Sequence, residues 1–136
     1  MYVYPRIGVP DRPTPEGWDA IPGARGCTPQ SCRFRDLSPE FKSLGIQLFG
    51  LSTQSSTYQH DAAQRLQLPF ELLSDDQLEL THAWALPTFT VDGDVLLKRL
   101  TLVIRDRTVL KVFYPVFPPT MNADEVLRWL KSELPA

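Results

Sequence analysis

Several things are scarce in this sequence. It holds two cysteines and two histidines in 136 residues, too few for a small domain stapled by disulfides. No run approaches the roughly 18 apolar residues of a membrane span, so no membrane partner is expected. The opening Met1-Tyr2-Val3-Tyr4-Pro5-Arg6 lacks a charged stretch leading into an apolar one and does not read as a signal peptide. A basic excess is also missing: 14 Lys+Arg against 16 Asp+Glu leave a net charge of −2. A phosphate-binding surface normally needs the opposite balance, which sets nucleic acid aside as a partner. There is no internal repeat, low-complexity tract or block of like charge. These absences lead to the expectation of a soluble, cytoplasmic protein.

Proline, by contrast, is plentiful. Thirteen residues are about twice average usage, and they crowd between Pro5 and Pro29. The stretch from Arg6 to Gly26 shows no period and reads as one long irregular segment, a Pro/Gly-rich insertion centred on residues 7–24. Such stretches inside small domains are uncommon and often functional. The length suits one domain over 1–136, and 43% hydrophobic residues can bury one core.

Periodicity supplies the elements. Tyr2-Val3-Tyr4 is β-prone and ends at Pro5. Thr28 can cap a helix whose first turn takes Pro29. Phe34, Leu37, Phe41 and Leu44 then recur at helical spacing until Gly45. Residues 46–51 read as a buried strand, Ser55 or Ser56 opens a helix to about Leu66, and residues 68–73 are extended. Asp75 or Asp76 caps a third helix reaching about Trp84. Residues 95–104 and 109–114 form a hairpin around Arg105-Asp106-Arg107. Asn122 with Glu125 forms a capping box for a last helix ending near Leu134. Strands alternating with helices and then a hairpin predict an α/β protein with a mixed sheet flanked by helices, the layout of the thioredoxin-like fold.

The chemistry concentrates in Gly26-Cys27-Thr28-Pro29-Gln30-Ser31-Cys32-Arg33-Phe34-Arg35-Asp36. Cys27 stands just before a helix N-terminus, where free N–H groups and the helix dipole favour a thiolate and lower its pKa. Cys32, inside the helix, gains less of this, so the two thiols are expected to be unequal. Five helical residues rise about 7.5 Å and rotate about 140°. A disulfide seldom spans more than about 7 Å between Cα atoms. If these two cysteines bond, the first turns of the helix must unwind.

Tyr4-Pro5-Arg6 and the cysteine segment together resemble the active-site segment of the peroxiredoxins, closest to their bacterioferritin-comigratory (PrxQ-type) branch. Two later stretches agree in order: Phe49-Gly50-Leu51-Ser52-Thr53 with Leu68-Pro69-Phe70-Glu71-Leu72-Leu73-Ser74-Asp75, and Arg99-Leu100-Thr101-Leu102-Val103-Ile104. The resemblance implies that Cys27 is the peroxidatic cysteine and Cys32 the resolving one, joined in turnover by an intramolecular disulfide. It implies that Arg99 holds the thiolate and the peroxide oxygens, with Gly26, Thr28 and Pro5 shaping the substrate site. Implied partners are a peroxide and a dithiol reductant such as thioredoxin or glutaredoxin, the chain acting as a monomer or weak homodimer without cofactor or metal.

Two departures stand against a full transfer. The family's threonine three residues before its peroxidatic cysteine is Ala24 here, and its proline seven before is Ala20. Between Pro5 and Cys27 the chain also carries the insertion, roughly Ile7 to Ala24, where most relatives have a few residues. It is further expected to begin inside the family's first core strand, without the usual lead-in. Plainer readings exist for each residue. The cysteines could be ordinary buried ones, and a zinc site with His60 and His82 has unsuitable spacing. Strand alternation turns either Lys98 or Arg99 inward, and Arg99 is expected there. Trp18 could anchor the insertion or line the site entrance. The leading functional expectation is a thiol peroxidase. A thioredoxin-like disulfide oxidoreductase or redox sensor without efficient peroxide turnover is the alternative, and a silent interaction module a third.

Overall fold

The computed structural model describes residues 1–9 and 14–134; Pro10 and Pro13 of the expected insertion lie outside them. Strand β1 (Tyr2–Val3) is followed by the long irregular connection, with a 3-10 turn at Trp18–Ala20, and then by helices α1 (Cys27–Asp36) and α2 (Ser38–Ser43). Strand β2 (Phe49–Ser52), helix α3 (Ser56–Arg65), strand β3 (Glu71–Ser74) and the short helix α4 (Glu79–Ala83) come next. The second half holds β4 (Thr88–Val91), β5 (Asp94–Leu97), β6 (Leu100–Arg105), β7 (Thr108–Phe113), a 3-10 turn at Pro119–Met121 and α5 (Asn122–Glu133).

Five strands form one sheet in the order β3-β2-β1-β6-β7. The first three run parallel, and β6 and β7 are antiparallel. This is the mixed, helix-flanked thioredoxin-like sheet that the element order predicts. Although β1 is only two residues long, it sits at the centre, so its side chains are buried on both faces. The Tyr2 ring stacks on Phe34 of α1 with centroids 4.5 Å apart, and its hydroxyl donates to Ser31 Oγ at 2.8 Å. Gly50 makes this possible, since a Cβ there would lie 2.9 Å from Tyr2 Cζ. Phe41, Val126, Leu127 and Leu130 complete the same cluster.

Several boundaries differ from the sequence reading. The helix expected from Thr28 to Leu44 is two helices meeting at Leu37. Ser38-Pro39 opens the second, because Pro39 tolerates only a first-turn position. Thr28 is not the cap of α1: Gly26 takes that place with φ +105°, and no side chain caps the turn. The strand expected over 95–104 is broken at Lys98-Arg99, and β4 pairs with β5 as a separate hairpin. Asp75 does serve α4, accepting from the N–H groups of Leu80 and Thr81. Asn122 does not cap α5; its side chain turns inward instead.

Candidate active site

The site is assembled where three stretches distant in sequence converge on Cys27. The first is the end of β1. Pro5 cannot donate to the ladder, and after it the Arg6 N–H turns to Cys27 Sγ at 3.4 Å. The second is the loop that precedes α1. Trp18 is 5% exposed and packs with Ala24 and Leu96, its ring centroid 6.2 Å from that of Phe89. Trp18 therefore anchors this loop on the β4–β5 hairpin. The loop ends at Gly26, whose positive φ suits glycine. A Cβ there would also lie 2.8 Å from Pro119 Cγ.

The third stretch is the break between β5 and β6. Lys98 is exposed and Arg99 is 3% exposed, so Arg99 is the inward residue as expected, although it lies in a break and not within a strand. Its Nη2 lies 3.2 Å from Cys27 Sγ and also donates to the carbonyls of Gly23, Ala24 and Arg25 at 3.0–3.2 Å. Its Nη1 donates to Gln30 Oε1 at 2.5 Å. Arg99 belongs to none of the ion pairs among the described residues. A desolvated cation without a carboxylate favours ionisation of the thiol beside it.

Burial acts in the other direction. Cys27 is 3% exposed, and loss of solvent pushes its thiol above the ordinary range. The charge of Arg99 and the N–H of Arg6 pull it down without cancelling that effect. The lowered pKa expected from helix position alone is therefore not met in this closed arrangement, because burial of the sulfur outweighs the groups that favour its charge. The thiol's own contact is with the Ala24 carbonyl at 3.7 Å.

Cys32 is half-buried on the same intact helix, and both cysteines are free. The structure thus places Cys27, Arg99, Gly26 and Pro5 together. Thr28 occupies the first turn of α1, half-buried, with no hydrogen bond from its hydroxyl among the described residues. His60 and His82 are both exposed on separate helices. A cavity of about 650 Å³ is lined by Phe34, Phe41, Leu48, Leu102 and Leu130 among others and includes neither Cys27 nor Arg99.

Three residues of the site escaped the sequence reading. Gln30 is 0% exposed and lies one helical turn after Cys27, so the i, i+3 spacing was a usable signal. Gln30 Nε2 donates to Asn122 Oδ1 at 3.0 Å, and Thr101 Oγ1 donates to the same oxygen at 2.7 Å. Neither Asn122 nor Thr101 carried a local signal, because Asn122 meets Gln30 and Thr101 only through the fold.

Comparison with known proteins bears on this arrangement. The Redoxin family model matches residues 5–127. Chloroplastic peroxiredoxin Q from Sedum lineare is 35% identical over 111 residues, covering 79% of this chain and 57% of that protein. The Arabidopsis thaliana chloroplastic peroxiredoxin Q is 34% identical over 111 residues, covering 79% and 49%. The chain therefore spans about half the length of these curated relatives. Among solved structures, peroxidoxin BcpB from Mycobacterium tuberculosis superposes with a TM-score of 0.74 at 28% identity, covering 98% of this chain and 79% of that one.

These names correct one expectation. The plant relatives are chloroplast proteins, so the expectation of a cytoplasmic protein does not stand. Composition could not make that distinction, since balanced charge and free thiols suit both compartments. With the family model matching most of its length, and with relatives and fold both of the peroxiredoxin Q type, the chain belongs to the redoxin family, in its thioredoxin-fold peroxiredoxin branch.

Proposed function

We propose that this chain is a thiol peroxidase that reduces hydrogen peroxide or alkyl hydroperoxides through Cys27. The Cys27 thiolate attacks one peroxide oxygen, the O–O bond breaks, and the leaving oxygen takes a proton to depart as water or alcohol. Cys27 is left as a sulfenic acid. The Cys32 thiol then attacks that sulfur, forming the disulfide and releasing water. A dithiol such as thioredoxin or glutaredoxin returns both thiols by exchange and leaves oxidised. Arg99 balances charge on the sulfur and on the departing oxygen. Gly26, Thr28 and Pro5 shape the ground on which the peroxide lies.

The observation that carries this reading is the approach of Arg99 Nη2 and the Arg6 N–H to one buried sulfur. That pair of donors supplies orientation where the family's threonine is replaced by Ala24. The test is peroxide consumption by the chain with a thioredoxin recycling system, run beside Cys27→Ser. Turnover lost in the variant supports the proposal, and equal rates sink it.

Ala24 also favours a second reading, a disulfide oxidoreductase or redox sensor that turns over peroxide poorly. Adding one equivalent of peroxide to reduced protein separates the two. Rapid loss of two thiols is the peroxidase outcome, and loss only with disulfide reagents is the other.

A further inference from the structure

Asn122 sits where a helix cap was expected and does something else. It is the first residue of α5, 1% exposed, and its side chain makes no capping bond. Instead it closes a buried chain of hydrogen bonds that begins at Arg99. Arginine can only donate, so Gln30 must present its oxygen to Arg99 Nη1 and its NH₂ to the next partner. That partner must accept, and Asn122 Oδ1 does so, while also accepting from Thr101 Oγ1. The polarity runs one way and leaves the Asn122 Nδ2 without an acceptor among the described residues. A residue present only to fill this space would carry no unpaired buried N–H, a defect that an apolar side chain avoids.

We propose that Asn122 is a positioning residue of the site: acting through Gln30, it holds the Arg99 guanidinium against Cys27 Sγ. This rests on the reading of Cys27 as the reacting sulfur. Arg99 Nη2 is shared among three carbonyls and the sulfur at 3.0–3.2 Å. Only the Nη1 bond to Gln30 lies outside that set, so it decides how the planar group is turned. Without the acceptor at Asn122, the Gln30 NH₂ is left buried without its partner, and the side chain loses the anchor that holds its Oε1 against Nη1. The guanidinium then moves toward the Gly23–Arg25 carbonyls and away from the sulfur. Thr101 supports the arrangement by donating a second hydrogen bond to the Asn122 oxygen that accepts from Gln30.

The test uses reduced protein in a Cys32→Ser background and follows Cys27 alkylation by iodoacetamide against pH, with melting temperature alongside. The other titratable groups around Cys27 are Arg99, Tyr2 and Tyr4, all left in place. Asn122→Leu keeps the branching and heavy-atom count of the side chain and removes the acceptor. Thr101→Val removes one hydroxyl. Asp124→Asn is the control: it breaks the paired Arg33–Asp124 bonds, 2.9 and 2.7 Å, that tie α1 to α5 two residues further on.

The expected result is an alkylation midpoint raised by about one pH unit in Asn122→Leu, with about tenfold slower reaction at neutral pH. Thr101→Val should shift it the same way by less, and Asp124→Asn should lower the melting temperature without moving the midpoint. An unmoved midpoint in Asn122→Leu overturns the proposal, as does an equal shift in Asp124→Asn, which would make α1–α5 packing the cause. If Asn122→Leu does not fold, the midpoint of Thr101→Val decides by the same criterion. A parent protein that consumes no peroxide, yet shows the midpoint shifts, defeats the peroxidase reading and leaves the positioning role standing.

Discussion

Arg99 Nη2 and Cys27 Sγ lie 3.2 Å apart although 72 residues separate them in the chain. Each is 3% exposed. Burial disfavours both charges singly, whereas the ion pair that forms when the thiol ionises compensates each with the other. The closed site therefore stores a thiol whose ionisation depends on a single cation and a few N–H groups. Its behaviour follows from how those groups are held.

Replacing Arg99 by lysine tests the shape of the cation rather than its charge. An ammonium cannot reach the Gln30 oxygen, the loop carbonyls and the sulfur at once. Arg99→Lys should slow single-turnover peroxide reduction by about 10²-fold, the usual cost of one lost transition-state donor. Circular dichroism should show the fold kept. Unchanged kinetics would assign the role to another group.

Stability should depend on pH through Cys27. Burial raises its pKa in the folded chain, so the unfolded chain, with a thiol near about 8.5, releases the proton first. The contribution is fully present below that value and is lost as pH rises toward the folded pKa. Urea melts between pH 7 and 9.5 should show stability falling at the alkaline end. Cys27→Ser should remove that part of the slope, and identical slopes in both proteins would mean that the sulfur is not shielded.

Oxidation should loosen α1. A Cys27–Cys32 bond cannot fit an intact helix, so forming it should unwind roughly residues 28–33, at on the order of 1 kcal/mol net for each backbone bond lost. Phe34, stacked on Tyr2, would lose part of its packing. Oxidised protein should exchange amides faster over 28–34 and melt at a lower temperature than reduced protein. A higher melting temperature with unchanged exchange would make the disulfide a structural staple.

Gly26→Ala should destabilise the chain by about 2 kcal/mol. The residue holds φ +105°, and a Cβ would lie 2.8 Å from Pro119 Cγ. Because the same turn presents Cys27 to Arg99, the peroxide rate should fall with the stability. Denaturant midpoints and single-turnover rates on one preparation check both, and a neutral substitution would show that Pro119 yields freely.

Removing Cys32 should leave the first oxidation intact and block resolution. One equivalent of peroxide added to Cys32→Ser should yield a sulfenic acid on Cys27, detected by dimedone adduct mass, and excess peroxide should carry it to sulfinic acid. Loss of the first reaction as well would give Cys32 a part in attack.

Much of this protein was legible along the chain. The period of residues 56–65 and the alternation of the hairpin strands are local properties, so α3, β6 and β7 could be read from sequence. The Gly26–Asp36 segment placed one cysteine at a helix end and another inside it for the same reason. Alternation left Lys98 or Arg99 to turn inward, and the family resemblance singled out Arg99. What remained hidden depended on partners far away in sequence. The break at Lys98-Arg99 exists because Arg99 is drawn to the loop carbonyls and Cys27. Asn122 read as a cap because a capping side chain and a buried acceptor share one residue type. Only the packing of α5 against α1 and β6 determined that its oxygen would meet Gln30 and Thr101. The pKa of Cys27 was misjudged for a related reason: the helix dipole is a local effect, whereas desolvation is set by everything that closes over the sulfur.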